Sequence, residues 1–567
     1  MAESYDFIIV GSKKPRGPAG CMIASTLARS SKRPSVLLLE AGSNYSDPNF
    51  RVDGQRWFTF LKHPSMNWGY NTAPQEHCMD REIDYARGRA LGGSSTINFG
   101  VYTVGSKDDY DEWARVVGND AFSWENMQRR FKALETFHGE VPQGEERYAA
   151  PRSSDHGHDG PIHVGYSQEW EKDLTPLIDV CKQAGFPLNK DHNSGNPIGM
   201  AVMINSSHGG MRSTAADALV SPPDNLTIRT KSTVQRLLIE GKTVVGVECD
   251  GKKYLASNEV ILSAGSLDTP KILLHSGIGP KDQLAKYNIA IIQDSPVGQG
   301  LRDHSHVSLA YSRTDTSTDR KTFYGNQVAM DAALEKWKKD RTGDWAKITC
   351  EMGIGFFKSE EVTASDEFKS LPAPEQRFLQ LPTVPHYEVV INFPVHWFIP
   401  DYPPEHLNYS SLSGFIYNSQ ARGEVTLQSS DTTVPLRFEP NFLSHPYDRR
   451  VAVETLRNLL KIAEHPAYAK DIVAPIAVPK SASEEDLLEY WESRMGSSWH
   501  MTGTAKMGNA EAPDAVVDSQ FRVLGLENVR VADMSVLPVL PNGHTQAAAY
   551  VTGATCAEML ISEYGLD

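Results

Sequence analysis

Tyr5-Asp6-Phe7-Ile8-Ile9-Val10-Gly11 is a short, almost wholly apolar run that stops at a glycine. A run of this kind, too short for a helix and without alternation, predicts a strand buried on both faces of a parallel sheet. From Pro18 to Arg29 the small and apolar residues Ala19, Ile23, Ala24, Leu27 and Ala28 recur at helical spacing. Ser35-Val36-Leu37-Leu38-Leu39 then makes a second apolar strand, closing on Glu40-Ala41-Gly42. Strand, helix and strand form a βαβ unit. Such a unit binds a dinucleotide when glycines let the backbone approach a pyrophosphate, a helix N-terminus points at it, and an acidic residue follows about 20 positions on. Gly20 and Glu40 have that separation. A carboxylate ending a buried strand is costly unless it accepts hydrogen bonds, which favours a ribose contact over a surface Glu beside an ordinary turn. The glycine loop is irregular. Lys13-Lys14-Pro15-Arg16 separates Gly11-Ser12 from Gly17-Pro18-Ala19-Gly20, and without those four residues G-x-G-x-x-G reads intact.

Further along, Leu226 to Arg229, Val234 to Ile239 and Thr243 to Glu248 are short strands with turns at Gly241-Lys242 and Asp250-Gly251, which together predict a β-meander. Glu259 to Leu262 returns to the continuous apolar type. Thr269-Pro270-Lys271 opens a helix with Thr269 as cap, and Gly277 ends it. From Ser312 to Arg494 the chain is richer in aromatics, prolines and charge, and Glu388–Phe393 and Gly423–Leu427 read as antiparallel strands. Leu526 to Asp533 is one more strand and Gln546 to Glu563 one more helix, so the C-terminal segment rejoins the first domain.

At 567 residues the chain exceeds one ordinary core and divides into two interleaved regions of roughly 250 residues each. Hydrophobic residues at 40% and charged residues at 22% suit a globular enzyme rather than a disordered or fibrous chain. The formal net charge of −15 opposes the counterion release that nucleic acid and anionic membranes reward, so no nucleic-acid or membrane partner is expected. Cys21, Cys78, Cys181, Cys249, Cys350 and Cys556 are scattered, with no C-x-x-C pair and no neighbouring His cluster. Neither a metal site nor a dense disulfide framework is expected. No basic and apolar leader opens the chain, and no apolar run reaches the roughly 18 residues of a membrane span. A cytoplasmic location is the expectation, against the weak contrary sign of four N-x-S/T sequons at Asn44, Asn205, Asn225 and Asn408.

Arg87-Gly88-Arg89-Ala90-Leu91-Gly92-Gly93-Ser94-Ser95-Thr96-Ile97-Asn98 places hydroxyl residues behind a double glycine, where backbone N–H groups can reach a flat ligand. This segment resembles the first signature of the glucose-methanol-choline (GMC) oxidoreductases, and the segment from Gly265 to Gly279 resembles their second. The resemblance extends through Asn67–Tyr70, Gly298–His304, Ser498–Thr504 and Pro541–Gln546, and is weakest from Thr314 to Leu381. Within the family it is similar to the fungal aryl-alcohol oxidase-like proteins and related alcohol oxidases and dehydrogenases.

The resemblance implies an α/β fold: an FAD-binding doubly wound domain, Rossmann-like and of glutathione-reductase type with a β-meander, beside an α+β substrate domain with an antiparallel sheet. Residues 1–160, 208–311 and 495–567 fall to the first, 161–207 and 312–494 to the second. It also implies that Glu40 binds the adenosine ribose, Gly11, Gly17 and Gly20 the pyrophosphate, and Val234 the adenine through its backbone. Asn98, Ala532, Asp533 and Thr545 match positions around flavin and pyrophosphate. Ser12, Ala41, Arg87, Gly92, Gly93, Ser94, Ala264 and His544 complete the expected cofactor set. Gly300 stands where the family usually has asparagine. Ile97 falls where some members carry the histidine that bonds to the flavin, so the FAD is expected to be non-covalent.

Taking hydride from an alcohol leaves a protonated carbonyl unless a base removes the hydroxyl proton, and a neutral histidine is suited to that task. The resemblance makes His500 the base and His544 the holder of the same hydroxyl. Most histidines are ordinary core or loop residues, but His500 lies among Gly496, Ser497, Ser498, Thr502, Gly503 and Thr504, and His544 stands two residues before a long helix. The positive end of that helix suits a flavin on which negative charge accumulates. His304 and His275 read as structural. His396-Trp397-Phe398 and Tyr387 are candidates for a substrate wall, although aromatic clusters more often build core. The expected function is FAD-dependent oxidation of an alcohol, with reoxidation by O2 or another acceptor. Two readings compete: a lyase or cyclase of the same fold that keeps FAD for structure, and a non-catalytic FAD-binding protein.

Overall fold

The computed structural model describes residues 3–11, 17–55, 59, 63–167, 170–317, 323, 326–347, 352–392 and 408–567. Ser12, the Lys13–Arg16 insertion and His396-Trp397-Phe398 lie outside the described residues. Strand β1 (Glu3–Val10) lies parallel to β2 (Val36–Leu39), with α1 (Pro18–Arg29) as the crossover. Phe7 to Val10 and Val36 to Leu39 are wholly buried, which is why neither strand alternates. Then follow β3 (Leu226–Arg229), β4 (Val234–Glu240), β5 (Thr243–Cys249), β6 (Lys252–Leu262) and helix α2 (Thr269–His275).

The sheet runs β3-β2-β1-β6-β5-β4. Two local expectations are corrected here. Leu226–Arg229 is not part of the meander; it pairs in parallel with β2, from Val36↔Leu226 to Leu39↔Arg229, at the far edge of the sheet. The following turn is then held against the end of β2, because Ser232 N–H donates to the Glu40 carbonyl at 2.7 Å and Lys231 N–H to that of Gly42 at 3.0 Å. The meander is β4-β5-β6, antiparallel throughout. Thr269 does not cap α2 either. Asp268 holds the cap position, and the Thr269 hydroxyl is taken up by Asp533 at 2.5 Å and by the Ala264 N–H at 3.1 Å.

The second sheet comprises β7 (Ser305–Arg313), β8 (Gly353–Phe357), β9 (Tyr387–Ile391), β10 (Tyr409–Ile416) and β11 (Ile472–Ala477), in the order β8-β9-β10-β7-β11 and antiparallel. Helix α3 (Pro446–Ala463) covers it at close range: a Cβ on Gly414 of β10 would stand 2.3 Å from the Thr455 methyl. The chain then returns to the first sheet. β12 (Val529–Val531) pairs in parallel with the end of β6, and α4 (Gln546–Tyr564) packs on α1, where a Cβ on Gly553 would meet the Ala19 carbonyl at 2.4 Å. Gly496 and Ser497 pair with His306 and Ser305 at the start of β7, which ties the C-terminal segment to the second sheet. Among the described residues no helix is long and apolar enough to cross a membrane, no group of three His, Cys, Asp or Glu is placed to hold a metal ion, and five free cysteines are buried. Asn205 and Asn408, two of the four sequon asparagines, are buried as well.

Candidate active site

A cavity of about 1200 Å³, open solvent at its mouth included, lies beside the start of α1 and the loop after β6. Its walls come from the first-signature loop (Arg87, Ser94, Asn98), the loop after β6 (Ala264 to Asp268), the segment around His500, and the start of α4 (His544, Thr545, Gln546). Gly17 and Gly265 also line it, and a Cβ on either would meet nothing within 4 Å among the described residues. Backbone is thus bare at two points of the cavity wall, a surface that a flat aromatic group such as an isoalloxazine can lie against. α4, 19 residues long, begins on the cavity wall, so its positive end faces inward.

The two expected catalytic histidines are neighbours. The rings of His500 and His544 stand 4.9 Å apart at 84°. Burial holds His500 well below the ordinary histidine value, reinforced by His544, His304 and Arg87, so its imidazole is neutral. The turn that carries it is strained. Trp499 has φ +57, a left-handed conformation that costs a bulky residue on the order of 1–3 kcal/mol. Three bonds hold it: Trp499 N–H donates to Ser497 Oγ at 2.8 Å, Arg87 Nη2 donates to the Trp499 carbonyl at 2.8 Å, and the indole N–H donates to Asp84 at 3.3 Å. Asp303 then fixes His500 itself, accepting its backbone N–H at 2.7 Å and the Ser497 hydroxyl at 2.5 Å. Burial pushes the Asp303 carboxyl up to about 6, against the pull of those bonds and of Arg87.

His544 is held from three directions. Its backbone N–H donates to Thr103 Oγ1 at 2.5 Å, and Gly543 is the only kind of residue that allows this approach, since a Cβ there would also lie 2.5 Å from that oxygen. The preceding Asn542 is buried and donates from its backbone to Asp109 at 2.6 Å, a carboxyl that burial pushes up to about 7. The ring Nε2 lies 3.0 Å from Oε1 of Glu388, which sits on β9 with no exposure. Tyr417 donates to the other oxygen of Glu388 at 2.5 Å. With the carboxylate accepting from both, His544 is oriented and its tautomer set.

Of the other expected residues, Asn98 is gripped by its neighbours. Its amide donates to Gln546 at 2.7 Å and its oxygen accepts from buried Arg212 at 2.9 Å. Ala532 and Asp533 do not line the cavity but hold its wall: the Ala532 carbonyl accepts from Ser263 at 2.9 Å, and Asp533 accepts from Gly265 N–H at 2.8 Å. Gly92 and Gly93, at φ +100 and +62, shape the turn that presents Ser94. Gly11, Gly20, Glu40, Ala41 and Val234 do not line this cavity: they stand after β1, in the first turn of α1, after β2 and at the start of β4. Glu40 is wholly buried and accepts the Gly42 N–H at 2.6 Å. Gly300 sits at φ +80, a conformation that glycine and asparagine both tolerate, so the exchange keeps the backbone path.

Several participants were not singled out from the sequence. His304, read as structural, has its Nδ1 3.0 Å from Nδ1 of His500, because Asp303 and the bridge at Ser305 bring the two segments together. Tyr387 is not a cavity residue: along β9 the side chains alternate, so Val390 reaches the pocket beside His544 while Tyr387 packs against Phe357. Glu388, Tyr417, Thr103, Asp109 and Arg212 are all new. The one available signal was Glu388 itself, an acidic residue in a strand otherwise apolar. His275 lies at the end of α2 and does not line the cavity.

The family sequence models described as GMC oxidoreductase match residues 22–306 and 419–553. Pyranose dehydrogenase 3 of Leucoagaricus meleagris is 31% identical over 99% of this chain and 93% of its own length. Versicolorin B synthase of Aspergillus parasiticus is 29% identical over 99% and 89%. A formate oxidase of Aspergillus oryzae RIB40, in a structure concerned with FAD modification, superposes with a TM-score of 0.88 over 100% of both chains at 25% identity.

Proposed function

The chain belongs to the GMC oxidoreductase family, and from that premise we propose that it oxidises an alcohol to an aldehyde or ketone, with His500 as the base that takes the hydroxyl proton. The observation that supports this most is the pair of imidazoles, 4.9 Å apart, on the wall of a cavity able to hold a flat cofactor. Bound FAD supplies the hydride acceptor and passes the electrons to O2 or another acceptor. Its adenosine end would lie with Glu40, Ala41 and Val234, its pyrophosphate with Gly11, Gly17 and Gly20, and its ring with Arg87, Ser94, Asn98, Ala264 and Thr545. Ile97 on the cavity wall offers no nucleophile, which favours non-covalent binding. In this reading residues 1–160, 208–311 and 495–567 serve the cofactor, and 161–207 and 312–494 the substrate.

His500 is neutral and can accept a proton, while His544, held by Glu388 and Thr103, shares the substrate oxygen and keeps it aimed. The space beside His544 is lined mainly by the apolar Phe99, Val101, Met203, Met352, Val390 and Phe415, with His306, Ser498 and Trp499 completing the wall. A sugar would bring several hydroxyls into this wall, each costing about 1–3 kcal/mol if left unpaired. The wall therefore favours an alcohol whose body is mainly apolar.

Anaerobic mixing of the flavin-loaded protein with a panel of alcohols tests the reading. Bleaching of the flavin by apolar-bodied alcohols, reduced about 10²- to 10⁴-fold in His500→Ala, is expected. Bleaching that His500→Ala leaves unchanged would reject His500 as the base. The similarity to a synthase, versicolorin B synthase, favours one second reading, a lyase or cyclase using the same histidines as acid and base. Turnover without bleaching would decide for it.

A further inference from the structure

We propose that His304 is a positioning residue for His500: it accepts the Nδ1 proton of His500 and so leaves the His500 Nε2 lone pair as the base. The inference rests on His500 acting as the base. The two Nδ1 atoms lie 3.0 Å apart, which is hydrogen-bond distance, and one of them must donate. Burial, above all, holds both rings well below the ordinary histidine value, so neither carries a second proton at rest.

Two arrangements exist for a pair of neutral imidazoles joined in this way. If His304 donates, His500 carries its proton on Nε2, and that nitrogen cannot receive another. If His500 donates, Nε2 is free to accept, and the imidazolium formed when it does is already hydrogen-bonded through Nδ1. Only the second arrangement gives a base, and it requires an acceptor at the position of His304. The acceptor's place is fixed: the His304 carbonyl accepts Ser498 N–H at 2.9 Å, and its ring lies 4.1 Å from that of Tyr417 with no exposure.

The proton balance closes within the pair. The substrate O–H bond breaks, its proton forms a bond with His500 Nε2, and no proton leaves His500 Nδ1. The orienting group is uncharged, so it favours the protonated form of the base less than the carboxylate of a Ser-His-Asp triad would. The groups facing His500 are His304, His544, His306 and Arg87; His544 and Tyr417 face His304. None of these is a carboxylate, and the nearby Asp303 engages the His500 backbone.

Three substitutions in the flavin-loaded full chain test this. Asparagine places an oxygen near the former Nδ1 and retains the acceptor. Leucine removes it, and aspartate makes it negative. His304→Leu should lower kcat about 10- to 100-fold with KM little changed, and His304→Asn should recover most of that loss. His304→Asp should move the acid limb of the pH profile of kcat upward. Flavin content and thermal midpoint, measured on each variant, separate loss of fold from loss of positioning. His304→Leu at parental kcat, or His304→Asp with an unmoved profile, would overturn the proposal. His500→Ala distinguishes the two levels: if it retains activity the base assignment itself fails, whereas if it alone is inactive only the role of His304 falls.

Discussion

Replacing Glu388 by glutamine should slow the reductive step about tenfold while leaving the fold intact. The carboxylate accepts from His544 Nε2 at 3.0 Å and from Tyr417 at 2.5 Å, and it is wholly buried. An amide of the same shape can offer oxygen to only one of them. The other meets an NH2 group, so either His544 loses its acceptor or it is driven into the opposite tautomer. Hydrogen bonds to a charged group contribute about 1.5–3 kcal/mol and neutral ones about 0.5–1.5. The difference, about 1–1.5 kcal/mol, corresponds to roughly a factor of ten in rate. The assay is the rate of flavin bleaching at saturating alcohol under nitrogen, with flavin content and thermal midpoint as controls. A Glu388→Gln protein with full flavin and a bleaching rate within twofold of the parent would refute the idea that this carboxylate orients His544.

Gly543→Ala puts a methyl 2.5 Å from Thr103 Oγ1, so that hydroxyl must leave the His544 backbone; kcat should fall about tenfold with flavin retained, as steady-state kinetics would report. Gly414→Val overpacks β10 against Thr455 and should cost about 1–3 kcal/mol, seen as a lower thermal midpoint with no change in the flavin spectrum. His156 gives a pH signature. Burial opposes its charge, but hydrogen bonds to Asp191 and Glu135 outweigh that and push it from 6.5 up to about 9. The folded protein then binds one more proton than the unfolded chain between those values. This stabilisation is whole below pH 6.5 and is lost as pH rises through about 9, at about 1.4 kcal/mol per pH unit. Denaturant titrations from pH 6.5 to 9 should show that decline, and a flat series would show that His156 is neutral.

The parallel half of the first sheet was legible because burial on both faces leaves a continuous apolar run, as in Phe7–Val10 and Val36–Leu39. The error at Leu226–Arg229 has the same origin. A four-residue strand carries no mark of which edge it joins, and its parallel ladder with β2, from Val36↔Leu226 to Leu39↔Arg229, is what decides it. His500 and His544 could be singled out because their flanks are glycine- and hydroxyl-rich turns unsuited to core packing. Their supports could not. Glu388 reaches His544 across 156 positions of chain and His304 reaches His500 across 196, so these contacts arise from strand pairing that no local pattern encodes.

The left-handed backbone at Trp499 has a consequence for engineering. The aim of His500 is a property of the turn rather than of the histidine's own rotamer, so a graft carrying only the two imidazoles to another scaffold would let that turn relax and point the ring elsewhere. Ser497 in the turn itself, and Asp84 and Arg87 from one distant stretch of chain, would have to travel with it.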